Sequence, residues 1–574
     1  MSDSHHTLGA HEPAPMLAGL DDPTLAATDS GEAHFRAQAW PPATARSASN
    51  LAASGVAESE VLASSVVGAE TRETEQTPAQ KIAGDKRFFG HPLGLATLFG
   101  TELWERFSYY GMRAILLYYI TDTVANHGLG IAPTMGAAIV SIYGAGVYLL
   151  SIVGGWLSDR VLGAYLSTFI GGVIIAAGHV FLALPQVALS WIGICLIALG
   201  TGLLKPNVSS MVGELYDRKD VRRQSAFSIF YMGINIGSLL APIIVGLVRA
   251  RWGYHGGFLV AAIGMGLALI SFVVGRMLLG GAGNDVPNPI QPAERGQVLK
   301  LFIAIIAFIA ILYLAVLAHD HGVLLTAVID SISYLSILVP IAFFAVMLTS
   351  KKVTKPERQR LRAYIPLFLA AMAFFMIFEQ AATTLASYAV DNTNLNFLWF
   401  SNFSPENFQT INPLFIIILT PLFASLWLKL GDRPALPYKF ALGLALAALS
   451  FLFLAVAAFL AHGNRTGAWV LGLVYIIQTL GELMISPVGL AATTLMAPRA
   501  FRGQAMALWF LAASAGQAIT AQLVQLTDGI APAPFFGGIG IVALVLAGVI
   551  ALLGKRVQRF IDDADQGELA ELAH

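Results

Sequence analysis

The chain has 574 residues, 56% of them hydrophobic and 12% charged, against a charged share of about 25% in soluble domains. That balance excludes an ordinary soluble globular protein and places the chain among polytopic membrane proteins. Net charge of −1 gives no sign of a nucleic-acid partner, and a single cysteine, Cys195, excludes an internal disulfide and any cysteine-based metal cluster.

Residues 1–88 are rich in Ala, Ser, Thr, Glu and Pro and have no sustained apolar run. They lack the basic and apolar regions of a signal peptide, and a disordered cytoplasmic tail is expected there. Beyond it, fourteen mainly apolar runs are each long enough to cross a bilayer as a helix: 93–122, 133–157, 165–185, 188–212, 224–249, 256–279, 299–318, 331–350, 363–391, 409–430, 438–462, 467–496, 503–527 and 533–554. They divide into six, two and six. The expected domains are bundles at 89–280 and 363–556, a linker with two extra spans at 281–362, and a C-terminal tail at 557–574. The extra pair carries charge only at its ends and is expected to face lipid rather than line a pathway.

The distribution of charge orients the chain. Of 34 Lys and Arg, 25 fall on one side of the expected bilayer, including the runs 218–223 and 351–362, and only Arg249, Arg251 and Arg465 fall on the other. This positive-inside bias puts both termini in the cytoplasm and favours an even number of spans.

The first span holds the most informative residues. Glu102, Glu105, Arg106, Tyr109, Tyr110 and Arg113 lie at offsets that fall within an arc of roughly 140°. A charge in hydrocarbon costs about 2.5–3.5 kcal/mol on the mildest scale, so four ionisable groups on one face mark a polar track. Gly154–Arg160, which closes the second span, reads as a tight sliding turn. In the fourth span, Gly200 and Gly202 permit close helix approach, and Pro206 weakens the backbone ladder beside Lys205. By helical rise, Lys205 lies about 25 Å from the outer face, and Glu102 and Glu105 about 14–18 Å from the inner one. In a membrane ~40 Å thick, Lys205 is expected to pair with one of these glutamates. Asn235 and Asn412 offer amides in the fifth and eighth core helices, either as interhelical glue or as ligand contacts. Arg113 and Glu379 fall at similar outer depths, where a cross-bundle ion pair would form a gate. Glu482 and Ser486 share one face near the midplane, and no basic residue accompanies Glu482 in its helix before Arg499. Tyr148 and Trp509 read as core or pocket. His319-Asp320-His321 reads as an external loop, with no metal site expected. No P-loop, serine elbow or HExxH occurs, so neither an ATP-driven pump nor a metalloenzyme is supported.

Glu102-Leu-Trp-Glu-Arg-Phe-Ser-Tyr-Tyr-Gly111 resembles the ExxERFxYYG motif of the proton-dependent oligopeptide transporter (POT) family. Phe230–Ser238 resembles that family's FYxxINxGS signature, and Lys205-Pro206-Asn207, Asn412-Pro413-Leu414 and Gly481–Pro487 follow in its order. The resemblance covers about residues 89–556. It departs at Gly163-Ala164-Tyr165-Leu166, where the family carries basic residues after the loop glycine. It implies an all-α major facilitator fold in a bacterial inner membrane, importing di- and tripeptides with protons by alternating access, without a cofactor. It also implies that Arg113 and Lys205 hold the peptide carboxylate and Glu482 the amino terminus. Asn235 and Asn412 would bond the peptide backbone, while Tyr109, Tyr110 and Tyr148 line the cavity; Ser486 and Trp509 join the expected binding set. Glu102, Glu105, Arg106 and Lys205 would couple the proton, and Arg113–Glu379 would gate. On the residues alone, a facilitator for another small anion, or a peptide-binding enzyme or receptor, stays open.

Overall fold

The computed structural model describes residues 77–572 apart from 83, 218–219, 397–402 and 432. Most of the expected N-terminal tail, residues 1–76, lies outside the described residues. Its remainder is not structureless: Pro78–Ile82 forms a short helix, α1.

The first bundle contains α2 (Leu93–Thr121), α3 (Pro133–Leu157), α4 (Ala164–Ala183), α5 (Val187–Glu214) and α6 (Arg222–Val274). Then come α7 (Arg295–His319) and α8 (Leu324–Thr349), followed by α9 (Lys355–Phe378), α10 (Thr384–Asp391), α11 (Ile411–Leu430) and α12 (Leu436–Leu460). Helices α13 (Ala468–Met496), α14 (Arg502–Leu526) and α15 (Pro532–Leu572) complete the chain. Helices dominate because a backbone crossing hydrocarbon must satisfy its own N–H and C=O groups. Among the described residues, twelve helical stretches are long and apolar enough to cross a membrane. The 29-residue α2 is as long but carries the four ionisable residues Glu102, Glu105, Arg106 and Arg113.

α6 is two helices in one. Gly253 sits at φ 73°, ψ −175°, a conformation open to glycine, and the chain doubles back there. Gly233 before the break meets Phe99, and the Ser271 hydroxyl after it donates to the Thr97 carbonyl at 3.4 Å, so both segments run beside α2.

The run expected as one helix over 363–391 is broken instead. α9 stops at Phe378, a 3-10 turn covers Glu379–Ala382, and Thr383 (φ −127°, ψ −99°) separates it from α10. Non-helical backbone at membrane depth persists where protein groups take up its freed carbonyls. Here Thr520 donates to Met376 O at 3.0 Å, Tyr475 to Ala381 O at 3.1 Å and Arg113 to Glu379 O at 3.4 Å. The last helix also differs from expectation, running past Lys555 to Leu572. Val557 and Ile561, four apart, are buried on one face and carry it beyond the apolar run.

Two apolar cores result, one centred on α2–α6 and the other on α9–α15. Glycines allow the tightest contacts in the first: a Cβ on Gly154 would lie 2.1 Å from Gly202 O, and one on Gly171 2.7 Å from Gly200 O. α7 buries only Val316 among its residues. α8 starts earlier than the expected run, at Leu324, and so takes in Asp330. It docks on α14 through Gln522, whose amide donates to Asp330 at 2.7 Å and Ser333 at 3.2 Å.

Candidate functional site

A cavity of about 200 Å³ lies between the two cores, lined from α2 by Arg106, Tyr109, Tyr110 and Arg113, from α3 by Tyr148 and from α5 by Lys205. The 3-10 turn after α9 adds Glu379, α11 adds Asn412, and α13 adds Tyr475, Gln478 and Glu482, while Tyr231, Asn235 and Ser238 come from the first segment of α6. Cations thus enter from the first bundle and carboxylates from the second.

Arg106 is the hub of the first-bundle charges. Its Nε donates to Glu102 Oε1 at 2.7 Å and lies 3.0 Å from Glu105 Oε2. All three side chains are buried, with Glu105 1% exposed, and neither Glu105 oxygen receives a hydrogen bond among the described residues. The expected pairing of Lys205 with a glutamate is therefore not formed. Arg106 sits on the glutamates' own helix, one and four residues away, and reaches both without bridging helices. Lys205 instead places its ammonium 3.9 Å from the centre of the Tyr148 ring, a cation–π contact, and forms no ion pair among the described residues.

Arg113 forms an ion pair with Glu379 across the two bundles. The Tyr148 hydroxyl donates to the other Glu379 oxygen at 3.5 Å. Glu482 accepts from the Asn412 amide at 2.7 Å, and that amide also donates to Thr479 at 3.1 Å. The Asn235 amide donates to Tyr231 O at 2.9 Å in its own helix.

Two expected binding residues lie off this lining. Ser486 is one turn beyond Glu482, the last residue of α13 that lines the cavity. Trp509 is core: its ring meets Phe375 edge-on at 5.5 Å and fills the space left by Gly489, where a Cβ would lie 2.1 Å away. Glu102 and Glu105 stand behind Arg106 rather than on the wall. Tyr231, Tyr475 and Gln478 were not anticipated. The signal was present, since Tyr231 precedes Asn235 by four residues, and Gln478 and Tyr475 precede Glu482 by four and seven, which puts each on the same helical face.

A second cross-bundle ion pair lies further toward the end away from the termini. Arg249 Nε donates to Glu406 Oε1 at 2.8 Å and its Nη2 to Oε2 at 3.2 Å, while Glu406 is fully buried. Gly246 makes room, because a Cβ there would lie 2.8 Å from the Glu406 side chain. Nearby, the Tyr118 hydroxyl donates to Ala386 O at 3.4 Å.

A model of the POT family matches residues 165–541. The uncharacterized transporter YclF of Bacillus subtilis (strain 168) is 48% identical over 484 residues, spanning 83% of this chain and 97% of that protein. A di-/tripeptide transporter of Lactococcus lactis subsp. cremoris is 44% identical over 490 residues, spanning 83% and 98%. Among solved structures, a crystal structure of peptide transporter POT in complex with sulfate shares 49% identity at a TM-score of 0.79, covering 84% of this chain and 99% of that one.

Proposed function

The chain belongs to the POT family, a family of transporters and not enzymes, and from that premise we propose that it imports di- and tripeptides together with protons by alternating access. One observation carries the reading: a single cavity has Arg113 and Lys205 on one wall and Glu482, held by Asn412, on the other. A short peptide is a zwitterion with its charges at its two ends. Walls of opposite sign recognise it without reading its side chains.

In this scheme the peptide carboxylate settles between Arg113 and Lys205, and its ammonium meets Glu482. Lys205 is poised for it, since among the described residues its ammonium rests on the Tyr148 ring and forms no ion pair. Asn235 and Asn412 bond the backbone, and Tyr109, Tyr110 and Tyr148 shape the cavity. Proton coupling resides at Glu102, Glu105 and Arg106. Two carboxylates share one guanidinium there, and a single proton completes the charge balance in a site without water-like screening. Arg113–Glu379 acts as the outer gate, and a carboxylate arriving at Arg113 competes with Glu379 for it. Each positive charge moved inward gains about 2.3 kcal/mol per 100 mV of membrane potential, which drives accumulation.

We place the protein in the inner membrane with fourteen spans and both termini cytoplasmic, on the strength of the 25-to-3 division of basic residues. In that orientation Arg113–Glu379, Tyr118–Ala386 and Arg249–Glu406 hold the outer side shut. Purified protein in liposomes tests the function: labelled dialanine is expected to accumulate when an inward proton gradient is imposed. Folded protein that leaves dialanine at equilibrium under that gradient would refute the proposal. A Lys205→Ala variant is expected to lose concentrative uptake.

A further inference from the structure

A second cavity, of about 310 Å³, lies at the other end of the first bundle, beside the N-terminus of α4 and the end of α6. Its polar side chains are Lys81, Arg276, Asn284 and Tyr165, and no carboxylate lines it. Arg276 lies over the Tyr165 ring, 4.8 Å from its centre, a cation–π contact that leaves its N–H groups without a carboxylate partner among the described residues. Neither cation has an ion pair or a side-chain hydrogen bond among the described residues. Of the acids nearby in the chain, Glu214 accepts the Gly283 N–H at 2.7 Å, and Asp285 follows Asn284 outside the lining.

The backbone adds to this. The 3-10 turn Gly275–Leu279 ends in left-handed Gly280 (φ 62°), followed by Gly281 at φ 97°. A right-handed turn running into a left-handed residue points successive N–H groups into one concavity, an arrangement that suits anions. Glycine at both positions also lets a ligand approach the chain closely. Every polar side chain on the wall can donate, so the geometry asks for an anion.

Its surroundings say which anion. Val274 and Met277, flanking Arg276, are 76% and 92% exposed. The cavity is level with the first turn of α2, since Gly94 approaches Leu278 O. It therefore stands where helices leave the apolar layer. A soluble phosphate has no use for the apolar flank, whereas a phospholipid has acyl chains to lay against it.

We propose that Lys81, Arg276 and the Gly280–Gly281 turn form a binding site for the phosphate headgroup of an anionic phospholipid, with Val274 and Met277 against its chains. Full-length protein reconstituted in phosphatidylcholine vesicles doped with a photoreactive phosphatidylglycerol tests this. Crosslinks are expected in the segments around Tyr165 and Met277, and at least tenfold fewer there in the Lys81→Gln/Arg276→Gln double variant, while crosslinking elsewhere on the chain and the melting temperature stay unchanged. Tyr165→Leu, which removes the stacking platform but no charge, is expected to lose part of the signal. Equal labelling of wild type and double variant at these segments, or equal labelling by a photoreactive phosphatidylcholine, overturns the site. Loss of the crosslink on adding millimolar inorganic phosphate, at constant ionic strength, overturns the lipid in favour of free phosphate.

Discussion

Replacing Glu406 by Gln removes the charge from an ion pair that joins the two bundles at the end assigned above as outer. In the closed arrangement Glu406 is fully buried and takes two hydrogen bonds from Arg249, at 2.8 and 3.2 Å. Hydrogen bonds to charged groups contribute about 1.5–3 kcal/mol. In the proposed cycle the outward-open state parts the bundles here and lacks this pair, so the loss falls on one side of the equilibrium. At about 1.4 kcal/mol per tenfold, the outward-open population should rise by about 10- to 150-fold wherever it is the minor state. Ala386, 3% exposed beneath the Tyr118 contact, reports on that opening. With Cys195→Ser to remove the native thiol and Ala386→Cys to add one, labelling by a membrane-impermeant maleimide from outside should accelerate by that factor in Glu406→Gln. Gly246→Ala should act in the same direction, because its Cβ would lie 2.8 Å from the Glu406 side chain and displace it. A labelling rate in Glu406→Gln within twofold of the parent, in protein of unchanged melting temperature, would refute the assignment of this pair as an outer latch.

Further outcomes follow from other parts of the structure. Glu482→Gln keeps the Asn412 contact but loses the charge, so KM for dialanine should rise at least tenfold in uptake assays, while an N-acetylated dipeptide should be little affected. Glu102→Gln and Glu105→Gln, measured in the same liposomes, should retain peptide counterflow but lose accumulation driven by a pH gradient, because neither residue lines the cavity. Gly154→Ala places a methyl 2.1 Å from Gly202 O, a backbone atom that cannot step aside, and should destabilise the first bundle by about 1–3 kcal/mol in thermal denaturation. At the entry to α2, Asp85 accepts from Leu93 N at 3.0 Å, and its bond to Arg87 holds its carboxyl below the usual carboxylate range. A lowered folded value means that the cap is complete above about pH 4 and weakens as pH falls toward that value. Protection of the Leu93 amide from exchange should therefore exceed that of Asp85→Asn at neutral pH, and the difference should shrink on acidification below pH 4.

Much of this protein is written in local pattern. Run length and hydropathy mark the spans because each helix must satisfy its own backbone in oil, whatever its neighbours are. The charged face of α2 is equally legible, since 100° per residue places Glu102, Glu105, Arg106 and Arg113 together before any packing is known. The Arg113–Glu379 pair could be anticipated from depth alone, because helical rise converts sequence position into height. Rotation of one helix about its axis relative to another has no such local signal. Tertiary packing therefore decided that Arg106 takes both glutamates while Lys205 rests on Tyr148, and that Trp509 fills the space at Gly489 instead of the cavity. It also decided the break after Phe378, which is tolerable only because Thr520, Tyr475 and Arg113 arrive from elsewhere in the chain to bond the carbonyls it frees. Sequence set which polar groups enter the membrane and at what height; which of them meet depended on side-chain contacts between helices far apart in the chain.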